Sequence, residues 1–260
     1  MRGIIYFIVI VLSNAVGALS GMGGGVIIKP VFDLVGIDPV ASVSFYSTIA
    51  VFTMSIVSTF RQIKNGVALQ WSVAKWLVVG SVVGGALGNV VFSWLLSTMQ
   101  NDVIVKGIQI ILMLVTLVFV LAYNHYRWQS WQLQGAMSYF LCSLVTGFLS
   151  SLLGIGGGPI NVALLMLCFG MPIKLSTVYS IIIIFASQLA KLVAIGFDTG
   201  FAVYELSVLF YIIPAAIIGG ILGATLSKIM PDSKVSMVFN AVVLLVILIN
   251  LYNGWQLFIG

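Results

Sequence analysis

Two short glycine clusters are the stretches of this chain best suited to binding a ligand. Ser20-Gly21-Met22-Gly23-Gly24-Gly25 lies near the start, and Leu153-Gly154-Ile155-Gly156-Gly157-Gly158 lies just past the middle. Each follows a long apolar run and precedes a shorter one, which closes at Gly36 or Gly170 with Pro39 or Pro172 close behind. Adjacent glycines let the backbone take positive φ and leave its N–H groups uncovered by side chains. A helix that restarts after such a break presents free N–H groups and the positive end of its dipole, which attract anions without a full charge. A transporter benefits, because an anion held this way is also released. The chemistry predicted is reversible anion binding at Gly23, Gly24 and Gly25 and at Gly156, Gly157 and Gly158. The competing reading is that the glycines only let helices approach, as GxxxG pairs do.

Polar residues inside apolar runs extend the candidate site. Ser20, Ser47, Asn161, Ser180 and Gln188 are candidates to line a cavity, as are Asn14 and Ser187. Such residues also hold membrane helices together, at about 0.6 kcal/mol each. Lys191 is the one charge well inside an apolar run, about two turns before Asp198. A cation there marks a functional site by default, unless its long stem carries the ammonium out to water. Enzyme chemistry has little to stand on. His125 is the single histidine and lies in a polar stretch, and no GxSxG, HExxH or GxxxxGK[ST] occurs. Cys142 and Cys168 form no CxxC and read as packed thiols. The six carboxylates fall in loops or near helix ends, so no acid pair, metal cluster or embedded proton carrier is expected. Neither a cofactor nor an enzymatic activity is predicted.

The elements that position these residues are membrane helices. Hydrophobic residues make up 61% of the chain and charged ones 7%, against roughly 25% charged in a soluble domain. Several runs exceed the ~18–20 apolar residues that span a bilayer, and the alternating pattern of a membrane barrel is missing. The runs are Gly3–Ser20, Val26–Gly36, Val40–Phe60, Trp71–Leu96 and Val103–Tyr123, then Leu133–Leu153, Pro159–Gly170, Ile173–Phe197, Ala202–Ser227 and Val235–Tyr252. The first run follows only Arg2 and lacks a good cleavage region, so it is expected to remain in the mature protein. Residues 1–124 and 133–260 read as two membrane repeats joined by a polar loop, 125–132. A constant shift places Gly21, Gly23, Gly24, Gly25, Pro39, Tyr46 and Ser47 on Gly154, Gly156, Gly157, Gly158, Pro172, Tyr179 and Ser180.

Charge decides how the repeats are oriented. If each glycine cluster tips a re-entrant hairpin, each repeat has three full crossings and the repeats are inverted. Arg61, Lys64, Lys75, Arg127, Lys174, Lys228 and Lys234 then share the cytoplasmic side, with Arg2, Lys29, Lys106 and Lys191 on or toward the outside. That sorting fits the positive-inside rule better than eight crossings do. The fold class expected is an all-α polytopic membrane protein of two inverted repeats. Each repeat is a glycine-tipped, re-entrant broken-helix hairpin plus three transmembrane helices, and both termini lie outside. Paired broken helices in matching halves point to a transporter's binding site. The readings are an anion permease working by alternating access, an anion channel or passive facilitator, or a membrane scaffold without transport. The +5 net charge reflects membrane surfaces, not nucleic acid.

An apolar helix, GxGGG, a short apolar helix, a proline, a Ser-rich helix start and a loop ending in Asn-Gly before Trp together resemble the sulfite exporter TauE/SafE family. Gly21 to Trp71 carries the first copy, including Arg61-Gln62-Ile63-Lys64-Asn65-Gly66-Val67-Ala68-Leu69-Gln70-Trp71, and Gly154 to Tyr204 carries a degenerate second one. The resemblance implies a plasma-membrane permease, mostly an exporter, for small sulfur-containing anions such as sulfite, sulfonates or sulfoacetate. Its partners would be that anion, the bilayer and a coupling ion, proton or sodium. Members typically carry Gly-Thr-Ser early in the helix after the proline. Here that region reads Val43-Ser44-Phe45-Tyr46-Ser47, and its counterpart Thr177-Val178-Tyr179-Ser180. The bulkier Tyr46 and Tyr179 are candidates for closing the pocket.

Overall fold

The structure, a computed structural model, describes residues 2–36, 38–66, 69–99, 101–126 and 128–259. Val67 and Ala68 of the loop motif, Arg127 among the cytoplasmic cations, and the two terminal residues Met1 and Gly260 lie outside the described residues. Among the described residues ten α-helices follow in order: α1 (Arg2–Ser20), α2 (Gly25–Val35), α3 (Val40–Lys64), α4 (Trp71–Met99) and α5 (Asp102–Tyr126), then α6 (Ala136–Leu153), α7 (Gly158–Phe169), α8 (Ile173–Phe197), α9 (Leu209–Ile229) and α10 (Asp232–Ile259). All but α2 and α7 are long and apolar enough to cross a membrane. Large apolar side chains such as Phe197, Phe210 and Leu248 point outward, as lipid-facing residues do.

Glycine and proline set the helix ends. Gly36 and Gly170 close α2 and α7 in the left-handed conformation, each N–H reaching back to Phe32 or Met166. Pro39 and Pro172 then start α3 and α8 from extended backbone. The structure departs from the hydropathy runs in several places, α10 among them, which runs from Asp232 to Ile259. Helix α5 continues through His125 and Tyr126. Helix α6 starts at Ala136 instead of Leu133, because Gly135 has φ of 101° and the Trp131 and Leu133 N–H groups bond to Leu167 and Cys168 carbonyls. Residues 202–205 are not helical, and a 3-10 turn at Leu206–Val208 leads into α9. There Tyr204 stacks on Phe45 at 4.1 Å, so tertiary packing overrides the apolar run.

Helices α3 and α8 form the centre and run antiparallel. Ser44, early in α3, meets Lys191, late in α8, while Gln62 and Asn65 share a surface pocket with Lys174 and Leu175 at the start of α8. Phe52 and Phe185 stack at their crossing, 5.5 Å apart. The outer helices exchange partners, α1 packing on α9 and α6 on α4. Glycines permit both contacts: a Cβ on Gly80, Gly84 or Gly88 would strike the α6 backbone, and one on Gly219 or Gly223 the α1 backbone.

Helices α1 and α2 form a hairpin whose open ends lie together, since Arg2 pairs with Asp38. Likewise α6 starts beside the end of α7, where Tyr139 packs on Phe169. The charges sort to opposite ends of the bundle. Asp33, Asp38, Asp102, Asp198 and Glu205 mark an acidic end, shared with Arg2, Lys29 and Lys106. Lys174, Lys228 and Asp232 mark the other, basic end, with Lys64, Lys75 and Lys234 alongside.

Candidate functional site

Both glycine tips reach the crossing of α3 and α8. A Cβ on Gly23 would touch Ile184, Val51 and the Gly156 carbonyl, and one on Gly156 would touch the same Val51 and Ile184. The two tips therefore face each other across this pair of side chains. A Cβ on Gly25 would fall on the Ile155 backbone, and one on Gly158 would meet Val26 at 3.4 Å. The first glycine of each tip presses on the opposite half: Gly21 on Thr177 of α8, Gly154 on Ser44 of α3. All of these glycines are buried, so the centre is enclosed.

Backbone conformation differs between the tips. Gly156, Gly157 and Gly158 have φ of 77°, 96° and 52°, a region open to glycine and costly for other residues. In the first tip only Gly21 and Gly23 are left-handed, while Gly24 has φ of −67° and caps α2 from ordinary helical backbone. Gly24 is excluded from carrying a side chain by Asn14 of α1, whose Oδ1 occupies the space a Cβ would need. Gly157 has an analogous neighbour in Asn161, one turn into α7.

The polar candidates separate into groups. Ser180 donates from Oγ to the Gly21 carbonyl at 2.5 Å, tying α8 to the first tip. Gln188 donates to Ser150 Oγ at 2.9 Å, tying α8 to α6. Asn161 is fully buried, and among the described residues neither its Nδ2 nor its Oδ1 has a hydrogen-bond partner; Ser47 Oγ is equally unpaired among them. Leaving such groups buried and unpaired costs about 1–3 kcal/mol each, which marks them as available to something else. Ser20 is not among them. Its Oγ bonds back to the Val16 carbonyl, a local helix contact.

Lys191 does not reach out to water. Its side chain is 1% exposed, and its Nζ donates to Ser44 Oγ and to the Ser151 carbonyl, each at 2.8 Å, above the Phe92 ring. Ser151 lies in the last turn of α6, so the ammonium sits at that helix's negative end, two to three residues before the second tip. Ser44 and Ser151 complete this group. Ser44 was visible in the sequence only as one serine in a Ser-rich start, and Ser151 contributes a backbone atom, which no side-chain pattern reveals.

Tyr46 and Tyr179 lie away from the tips, toward opposite ends. Tyr46 donates from its hydroxyl to the Glu205 carbonyl at 3.3 Å, and the Gln70 N–H donates to the Tyr179 hydroxyl at 3.0 Å. Each tyrosine thus clasps the residue just ahead of the fourth helix of the other half. The Tyr46 clasp is reinforced, because Arg2 bridges Asp38 and Glu205. Ser207 and Arg2, by hydrogen bonding to Glu205, hold its carboxyl below the usual carboxylate range.

Asp33 lies near a helix end, as the sequence places it, and its side chain is nonetheless buried. It sits in the last turn of α2, but its side chain is only 6% exposed, wedged between Lys29 at 3.1 Å and Lys106 of α5 at 3.4 Å. A position near a helix end hid this, because its second partner comes from a distant helix.

A family model described as "Sulfite exporter TauE/SafE" matches residues 6–250. The chain is 29% identical over 189 residues to the probable membrane transporter protein MJ0441 of Methanocaldococcus jannaschii, covering 68% of this chain and 66% of that one. It is 33% identical over 114 residues to the probable membrane transporter protein YunE of Bacillus subtilis, covering 43% of this chain and 40% of that one. The chain thus spans less than two thirds of the length of either relative. No solved structure matches it.

Proposed function

The chain belongs to the sulfite exporter TauE/SafE family, a family of membrane transporters, and on that premise we propose that it is a plasma-membrane permease that exports a small sulfur-containing anion of the sulfite or sulfonate type. The observation that carries this reading is the meeting of two glycine tips where α3 and α8 cross, with unpaired Asn161 and Ser47 and the buried cation of Lys191 enclosed nearby. Amides at the starts of α2 and α7 would hold the anion, with Ser180 and Gln188 fixing the tips.

In this reading the two halves are inverted repeats, and α1–α2 and α6–α7 are re-entrant hairpins. The antiparallel α3 and α8, the exchanged outer helices and the same-end hairpins all favour it. The basic end is cytoplasmic by the positive-inside rule, which leaves both termini outside. Tyr46 then closes the outer side and Tyr179 the inner, and alternating access opens one clasp at a time. Thermal denaturation of the purified protein tests the substrate class, since a ligand that binds only the folded state raises the midpoint by mass action. Sulfite or a sulfonate should raise it in a saturable way. Stabilisation by carboxylates alone, or by no anion, would overturn the assignment.

A further inference from the structure

We infer that Lys106, Lys29 and Asp33 form a second anion site, a relay between the acidic end and the second glycine tip, in which the Asp33 carboxylate holds the place of the travelling anion. The inference rests on the anion-permease reading above. Asp33, Lys106, Asn253 and Gln256 line a depression of 370 Å³ at the acidic end. Behind it, Lys29, Asp33, Gln109 and Asn250 border a 10 Å³ chamber that reaches Leu153, the residue before Gly154. Its wall is mostly apolar, with Pro30, Ile110 and Met113, but carries one polar group to spare: the buried Gln109 Oε1 has no hydrogen-bond partner among the described residues, and Gln109 Nε2 donates to the Leu152 carbonyl. Lys191 binds the next carbonyl back, Ser151. Three ammonium groups thus lead from a mouth where Lys106 is 20% exposed, past Lys29 at 4%, to Lys191 beside the tip.

The Asp33 carboxylate, with one oxygen on each lysine, makes the contacts a small oxyanion would make. It is poorly placed as a permanent partner. A carboxylate in the last turn of a helix faces the negative end of the dipole, and a lysine four residues N-terminal to it is the weaker order for such a pair. Three lysines against one carboxylate also leave a surplus of two positive charges, since no carboxylate pairs with Lys191 among the described residues. In a low-dielectric interior that surplus favours a mobile anion. An exported anion leaves the tip and Lys191, takes Lys29 and Lys106 from Asp33 on its way to the mouth, and the carboxylate closes behind it.

Calorimetric titration of sodium sulfite into the purified full-length protein tests the relay, with uptake of labelled sulfite by proteoliposomes alongside. Asp33→Asn removes the competitor, so the Kd for sulfite should fall about threefold or more. Lys29→Gln should raise it about tenfold, and Lys29→Arg should restore most of that loss. Lys106→Gln, at the mouth, should slow uptake and flatten its dependence on ionic strength. Tighter binding by Asp33→Asn is a gain that a damaged fold cannot imitate. If Asp33→Asn weakens sulfite in step with Lys29→Gln, or if these variants shift only the melting temperature, the trio is a structural ion pair and the relay is wrong. Wild-type protein that binds no sulfite would instead overturn the anion reading itself.

Discussion

Transport of sulfite by Gly157→Val is expected to fall to background while the protein remains in the membrane. Gly157 holds φ of 96°, which a β-branched residue does not adopt, and its Cβ would collide with the Asn161 amide. Backbone strain alone costs on the order of 1–3 kcal/mol, and the side chain would also cover the amides at the start of α7. The long helices carry membrane insertion and are untouched. Gly200→Ala is the matched control: its φ is 73°, with nothing within 4 Å of a Cβ, so it reports strain without occupying the centre. Initial uptake rates in proteoliposomes should separate the two, with Gly157→Val inactive and Gly200→Ala near wild type. Equal rates in Gly157→Val and wild type would reduce the tips to packing surfaces.

Lys191→Gln is expected to weaken sulfite binding about tenfold or more, equivalent to roughly 1.4 kcal/mol. The ammonium is enclosed, with Ser44 Oγ and the Ser151 carbonyl at 2.8 Å, so its field is little reduced by water. Glutamine keeps a polar donor on a side chain one bond shorter, so the principal change is the loss of charge. Lys191→Arg keeps the charge but changes its shape and donor geometry, so it should retain part of the affinity. Calorimetric titration of sulfite into the three proteins gives the ranking. Unchanged affinity in Lys191→Gln would leave Lys191 as a cap on the α6 carbonyls and nothing more.

How far these features could be read from the sequence depends on the range of the interactions that create them. The glycine tips and the helix starts at Pro39 and Pro172 are local consequences of φ freedom and fixed φ, and they stand where the sequence places them. Lys191 was conspicuous because a lone charge in an apolar run is costly, but its burial depended on Ser44 and on a backbone oxygen of α6. Asp33 escaped notice because its position in α2 resembles an exposed helix end until α5 supplies Lys106. The conformation of Gly24 was equally hidden: its need to be glycine comes from Asn14 on the preceding helix, not from its own φ. The match between Tyr46–Glu205 and Tyr179–Gln70 joins residues far apart in the chain, so only folding brings it into view.

The central claim is that two oppositely oriented halves bring their glycine tips together from opposite faces of the membrane. Alternating access at one shared site depends on that arrangement. Labelling of single introduced cysteines in intact cells with a membrane-impermeant maleimide tests it most directly. Cysteines beside Asp102 and Asp198 at the acidic end should react from outside, and those beside Lys64, His125 and Lys234 should react only after the cells are permeabilised. The comparison of Lys64 with Asp198 is decisive, because they end α3 and α8, the matching helices of the two halves, and only inversion puts those ends on opposite sides. Reaction of only the Asp198 position from outside is the predicted result; reaction of both from the same side would contradict the inverted arrangement and the mechanism built on it.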